Sequence, residues 1–175
     1  IHRDIKPANL LLDQEGDIKI LDMGLARIEG EVGQLAELTG TGTVMGTVDY
    51  MSPEQSMDTK SADARSDIYS LGITLWFLLT GKPAYVGSSL MARMLAHRDG
   101  EIPSLRDARS DVPAWLDAIF QKMIAKKPED RFQSASELLE ALSKRRTTKG
   151  SMPDPYEDSG LQTFLSNLQT QRQIR

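Results

Sequence analysis

Residues 68–79, IYSLGITLWFLL, are the stretch that most restricts how this chain can fold. Ile68, Leu71, Gly72, Leu75, Trp76 and Leu79 recur at helical spacing, and Ile73, Phe77 and Leu78 fill the remaining faces. A helix apolar nearly all round has to be enclosed by other elements, so the rest of the chain must wrap around it. Its ends are marked. Asp67 stands where a carboxylate favours the free N–H groups and the positive end of the helix dipole, and Gly81 follows the last turn as a C-cap. The longest apolar run, Leu71 to Leu79, is broken by Gly72 and Thr74 and falls far short of the roughly 20 residues that span a bilayer. At 175 residues the chain has room for one folding unit with a real core.

Other helical patterns supply the wrapping. One covers Ser89 to Arg98, and another begins near Pro113, a residue suited to a first helical turn, with Trp115, Leu116, Ile119, Phe120 and Met123 on one face. A last helix starts at Ser134-Ala-Ser-Glu137, a capping box in which serine and glutamate satisfy each other's backbone donors. It runs through Leu138, Leu139 and Leu142 and ends near Lys144 to Arg146. Ahead of the helices, Leu10–Leu12 and Ile18–Leu21 flank Asp13-Gln14-Glu15-Gly16 and read as a β-hairpin. Gly24 to Gly46 is glycine- and threonine-rich without a sustained period, a long loop of the kind that carries function. Residues 147–160 are polar and broken by Pro153 and Pro155, a linker. Residues 161–175 form a short amphipathic tail on Leu161, Phe164, Leu165 and Leu168, read as a surface helix or as no structure at all.

Charge narrows the partners. With 21 basic against 25 acidic residues, a net charge of −4 and a pI of about 5.2, neither nucleic acid nor an anionic membrane surface is favoured. The absence of cysteine removes disulfides and thiolate metal sites, and two histidines do not make a zinc site.

The chemistry-bearing residues come in a fixed order. His2-Arg3-Asp4 is followed five residues after the aspartate by Asn9; Asp22-Met23-Gly24 stands at the hairpin's exit; Gly46-Thr47-Val48-Asp49-Tyr50-Met51-Ser52-Pro53-Glu54 follows the threonine-bearing loop. Then come Ser66-Asp67 and Lys127-Pro128-Glu129-Asp130-Arg131. Each alone is a weak signal, His-Arg-Asp being a chance triplet and Ser-Pro-Glu only a turn before a helix. Their order and distances together resemble the C-terminal lobe of a protein kinase, in particular the eukaryotic-like bacterial serine/threonine kinases, over about residues 1 to 143.

The resemblance implies a mainly α fold, a kinase-like C-lobe with a small β-hairpin carrying the catalytic loop and Asp-Met-Gly, over residues 1–146. It implies that Asp4 accepts or orients the proton of the attacking hydroxyl, that Lys6 neutralises charge on the γ-phosphate, and that Asn9 and Asp22 hold Mg2+ on ATP. In-line phosphoryl transfer wants an anion at the nucleophile beside metal-held phosphates, which suits this residue set. Leu11 matches the floor of the adenine pocket. Met23 replaces the family's phenylalanine, an apolar and flexible substitute. Thr47 is expected to bond to both Asp4 and Lys6 and shape the acceptor site. Thr39, Thr41 and Thr43 are the regulatory phosphorylation sites, with Arg3 as phosphate receiver. His2, Glu54, Asp67 and Arg131 take structural roles: His2 packs, Glu54 pairs with Arg131, and Asp67 holds the catalytic loop's backbone.

The glycine-rich loop, strand lysine and glutamate partner that precede this point in a kinase are not in the sequence, so the expectation is a lobe from a longer chain, inactive alone. The parent would phosphorylate Ser and Thr hydroxyls on protein substrates using ATP, in the cytoplasm or from a membrane anchor, with a second copy as partner for phosphorylation in trans. The alternative is a pseudokinase-like regulatory or scaffolding module that binds protein partners.

Overall fold

In the computed structural model the described residues are 1–21 and 46–146. Asp22-Met23-Gly24, Thr39, Thr41 and Thr43, the linker and the tail lie outside them. The central helix, α2, is Ala64–Thr80, following the short α1, Pro53–Met57. Further along come α3 (Leu90–Asp99), α4 (Leu105–Ala108), α5 (Ala114–Met123) and α6 (Ala135–Arg146). The strands are β1, Leu10–Leu12, and β2, Ile18–Ile20. One compact unit runs Ile1–Ala141, and Leu142 onward belongs to a second.

Helix α2 begins earlier than Asp67. Asp63 is its cap: the side chain accepts from Arg65 N at 2.8 Å, and Ser66 Oγ accepts from Asp63 N at 3.3 Å. This reciprocal pair starts the helix and releases Asp67, one turn in, for other work. Gly81 ends it with φ 69°, a left-handed conformation that an L side chain resists, and its N–H reaches Phe77 O at 2.8 Å.

Nor is α2 enclosed on all sides. Its buried face is Ser66, Tyr69, Ser70 and Ile73 together with Ile68, Gly72 and Thr74, whereas Leu71 and Leu78 are 40% and 39% exposed. Small residues mark the buried side because a neighbour comes close there. A Cβ on Gly72 would lie 2.6 Å from Ile124 Cγ2 and 3.1 Å from Met123 Cβ, which places the end of α5 directly against the α2 backbone. Trp76 stacks on Phe120 one turn further along, with centroids 5.7 Å apart.

Pro113 is the residue just before α5, not inside it, with ψ 142°. Asp117 of α5 is buried and accepts from Leu105 N (2.6 Å), Ser104 Oγ (2.9 Å) and Gln121 Nε2 (2.9 Å), which fixes α4 against it. Helix α4 is too short to leave a periodic trace in the sequence. Helix α3 is capped by Ser89 and sends His97 into the core, where Nδ1 meets the Tyr69 hydroxyl at 3.0 Å. At α6, Ser134 Oγ accepts from Glu137 N, but the Glu137 carboxylate takes Gln133 N at 2.7 Å instead of Ser134 N. Lys122 Nζ, 2.9 Å away, holds the same carboxylate, so half of the expected box is replaced by a tertiary ion pair.

The hairpin pairs antiparallel, with Leu10 opposite Ile20 and Leu12 opposite Ile18. Asp13 shapes the turn by accepting from Asp17 N at 2.8 Å, and Gly16 adopts φ 87°. Leu11, Leu12, Ile18 and Ile20 are exposed. Among the described residues no helix is long and apolar enough to cross a membrane.

Candidate active site

The segment Ile1–Leu12 carries the site, and its backbone is held from outside. Arg3 sits at φ 68°, the one non-glycine residue with positive φ among those described. Such a conformation costs roughly 1–3 kcal/mol and persists only where surrounding bonds determine it. Asp67 supplies two of them, Oδ2 accepting from His2 N at 2.8 Å and Oδ1 from Arg3 N at 2.7 Å. Gln55 supplies a third, its Nε2 donating to Arg3 O at 2.8 Å. His2 completes the frame: Nδ1 accepts from Asp4 N at 3.3 Å, which puts the ring proton on Nε2 for Leu21 O, also at 3.3 Å. His2 thus ties the catalytic loop to the end of the hairpin.

The strained residue aims Asp4. Its Oδ2 is shared by Lys6 Nζ at 2.9 Å and Asn9 Nδ2 at 2.9 Å, while Asn9 Nδ2 also reaches Asp4 O at 2.7 Å. Among the described residues Oδ1 receives no hydrogen bond, so one carboxylate oxygen is fixed and the other is free. Pro7–Asn9 forms a single 3₁₀ turn that brings Asn9 back over Asp4, and the Asn9 side chain is buried. Because its amide nitrogen is committed to Asp4, its amide oxygen is the atom left to meet a cation, a hard donor that suits Mg2+.

Thr47 lies across from this loop and accepts from Lys6 Nζ at 2.9 Å. It does not bond to Asp4, contrary to the expectation from sequence. The ammonium of Lys6 stands between the two and bonds to both, so the link is indirect. Val48 is buried, and Asp49 pairs with Arg93 of α3 at 2.7 Å, anchoring the segment on its far side. A small polar depression beside Asp4 is lined by Arg3, Thr47, Tyr50, Met51, Gln55 and Ser70.

Ser52 is fully buried and caps α1 with its hydroxyl, accepting from Gln55 N at 3.4 Å. Glu54 follows. Its Oε1 accepts from Arg131 Nη1 and from Ser66 Oγ, both at 2.7 Å, and Oε2 accepts from Arg131 Nη2 at 2.8 Å. Arg131 also donates to Ala125 O, Arg65 O and Lys126 O, which satisfies all five guanidinium N–H groups in a side chain with no exposed surface. Burial alone would raise the Glu54 pKa, but the bonds from Arg131 and Ser66 hold it below the usual carboxylate value.

Asn9, Asp4, Lys6 and Thr47 are thus joined in that order by a chain of hydrogen bonds and an ion pair. Leu11 is exposed on β1, and the Arg3 guanidinium is exposed without an ion pair among the described residues. Asp22 and the three loop threonines fall outside the described residues. Gln55 was not singled out from sequence, since one glutamine behind Pro-Glu has no periodicity or spacing to mark it.

This geometry sits in a chain that belongs to the protein kinase domain family, which it matches over residues 1–142. It is similar to the serine/threonine-protein kinase PknB of Mycolicibacterium smegmatis, 41% identical over 155 residues that cover 88% of this chain and 24% of that protein. It is also similar to PknB of Mycobacterium tuberculosis, 43% identical over 140 residues covering 79% and 22%. The probable serine/threonine-protein kinase SCO3848 of Streptomyces coelicolor is 42% identical over 140 residues, 79% of this chain and 20% of that protein. The chain spans less than a quarter of the length of these relatives.

Proposed function

We propose that the protein carrying this chain transfers a phosphoryl group from ATP to serine or threonine hydroxyls of protein substrates. The observation that carries this reading is the split environment of Asp4, which lines the depression it shares with Thr47 and Tyr50: Oδ2 is pinned by Lys6 and Asn9, and Oδ1 receives no hydrogen bond among the described residues. An acceptor hydroxyl placed there would donate to Oδ1, be oriented for in-line attack, and pass its proton to the carboxylate as its bond to the γ-phosphorus forms and the bond from that phosphorus to the leaving ADP oxygen breaks. Lys6 lies 2.9 Å from both Asp4 and Thr47, so its charge is available to the transferring phosphoryl oxygens at the moment their charge grows. Asn9 would hold Mg2+ through its amide oxygen, with Asp22 as the second ligand; the metal supplies neutralisation of the phosphates.

In this reading residues 1–146 are the lobe, an extent supported by the family match to residue 142. The loop threonines Thr39, Thr41 and Thr43 are the regulatory sites, and the exposed Arg3, without an ion pair among the described residues, is suited to receive a phosphate. Use of ATP supports a cytoplasmic reaction, by a free protein or one held at a membrane anchor. The test is phosphate transfer from ATP to a Ser/Thr peptide by the full-length protein with Mg2+, compared with its Asp4→Asn variant. Transfer that survives Asp4→Asn unchanged, or no transfer by the parent, overturns the reading.

A further inference from the structure

Strain at Arg3 needs an anchor on each side of its peptide unit, and Asp67 reaches only the N–H side. The carbonyl of Arg3, the group that leads directly into Asp4, is bonded by Gln55 Nε2 at 2.8 Å, 52 residues away in sequence. Gln55 is 8% exposed, and its Oε1 is buried without a partner. A buried amide with an unpaired oxygen is unfavourable where an apolar side chain of the same size would do, so packing does not account for a glutamine here. What the amide adds is the bond to Arg3 O.

We propose that Gln55 is a positioning residue for phosphoryl transfer: its side-chain amide holds the left-handed Arg3 backbone from the carbonyl side and so fixes the direction of the Asp4 carboxylate. The backbone of the same residue is tied to Ser52 at the start of α1, so the substrate-facing segment and the catalytic loop are joined through one side chain. The role rests on the kinase reading, but the placement of the loop does not.

The test uses the full-length protein with Gln55→Met, which keeps the volume and removes the donor. The expected result is a kcat lower by roughly 10- to 100-fold, since a misaimed catalytic group costs on that order, with KM for ATP within about twofold of the parent. Amide hydrogen exchange across residues 3–5 should be several-fold faster in the variant and exchange in α5 unchanged, with little change in melting temperature because loss of the bond to Arg3 O is offset by removal of the unpaired Oε1. A variant whose kcat and loop exchange match the parent overturns the proposal, as does one that melts earlier with exchange raised throughout, which is the mark of a packing role. If the parent shows no Asp4-dependent transfer, the kinase reading fails instead, and loop exchange still decides whether Gln55 holds Arg3.

Discussion

The catalytic loop with its hairpin and the helical body around Arg131 are built on opposite terms. In the body, a guanidinium with no exposed surface has every donor satisfied, α2 and α5 approach to the limit set by Gly72, and His97 is enclosed by Tyr69 and Tyr85. Around the loop, one residue is strained, Asp4 keeps a free oxygen, and the strands expose leucine and isoleucine on both sides. Around Arg131 the body pairs its charged groups with one another, although Thr74 Oγ1, Trp76 Nε1 and His97 Nε2 stay buried without a partner among the described residues. The loop fixes Lys6, Asn9 and one oxygen of Asp4 and leaves the other oxygen without a bond among the described residues, which is the condition for acting on something else.

That contrast can be broken first at the ion pair. Glu54→Ala leaves Arg131 buried without its carboxylate and should cost about 3–5 kcal/mol, measured by denaturant unfolding of the chain. A loss below about 1 kcal/mol would show that water reaches Arg131 and that the body is looser than its geometry. The next effect is acid sensitivity. Burial first, and the nearby Lys126 charge second, pull the His97 pKa from 6.5 down to about 4. The unfolded chain therefore takes up this proton before the folded one does, and stability should fall as pH drops from 6.5 to 4, by about 3 kcal/mol in all. Thermal melts of His97→Gln over that range should have a shallower slope; identical slopes would remove His97 as the cause. Glu54 adds a separate loss only below pH 4.5, as the pH falls through its depressed value.

Smaller effects sharpen the contrast. Gly72→Ala places a methyl 2.6 Å from Ile124 Cγ2 and should destabilise by about 1–3 kcal/mol, unless α5 withdraws without penalty. Ile18→Thr on the hairpin, at a position 64% exposed, should change the stability of the chain by less than about 0.5 kcal/mol. A larger loss there would mean the hairpin face is covered.

Much of this was legible from residues. The hairpin follows from the segments Leu10–Leu12 and Ile18–Leu21 around a glycine-ended turn, and Gly81, Ser89 and Ser134 marked helix ends by their chemistry. Other features were not. Asp67 resembled a cap because it precedes the apolar run, yet Asp63 and Ser66 do the capping through a reciprocal bond that composition does not reveal. The buried face of α2 mixes Ile68, Tyr69 and Ile73 with Ser66, Ser70, Gly72 and Thr74, and at Gly72 the close approach of Met123 and Ile124, not hydrophobicity, selects the residue. Thr47 was assigned a bond to Asp4 that Lys6 intercepts.

By itself the sequence determined which side chains could do chemistry and how far apart they stand along the chain, because motif spacing within a short loop and turn propensity are local properties. Only tertiary structure decided which oxygen of Asp4 is free, what holds Arg3 in its strained conformation, and that Gln55 reaches it across 52 residues. Those outcomes depend on contacts between segments remote in sequence, and a hydrogen bond's direction exists only once both partners have been placed.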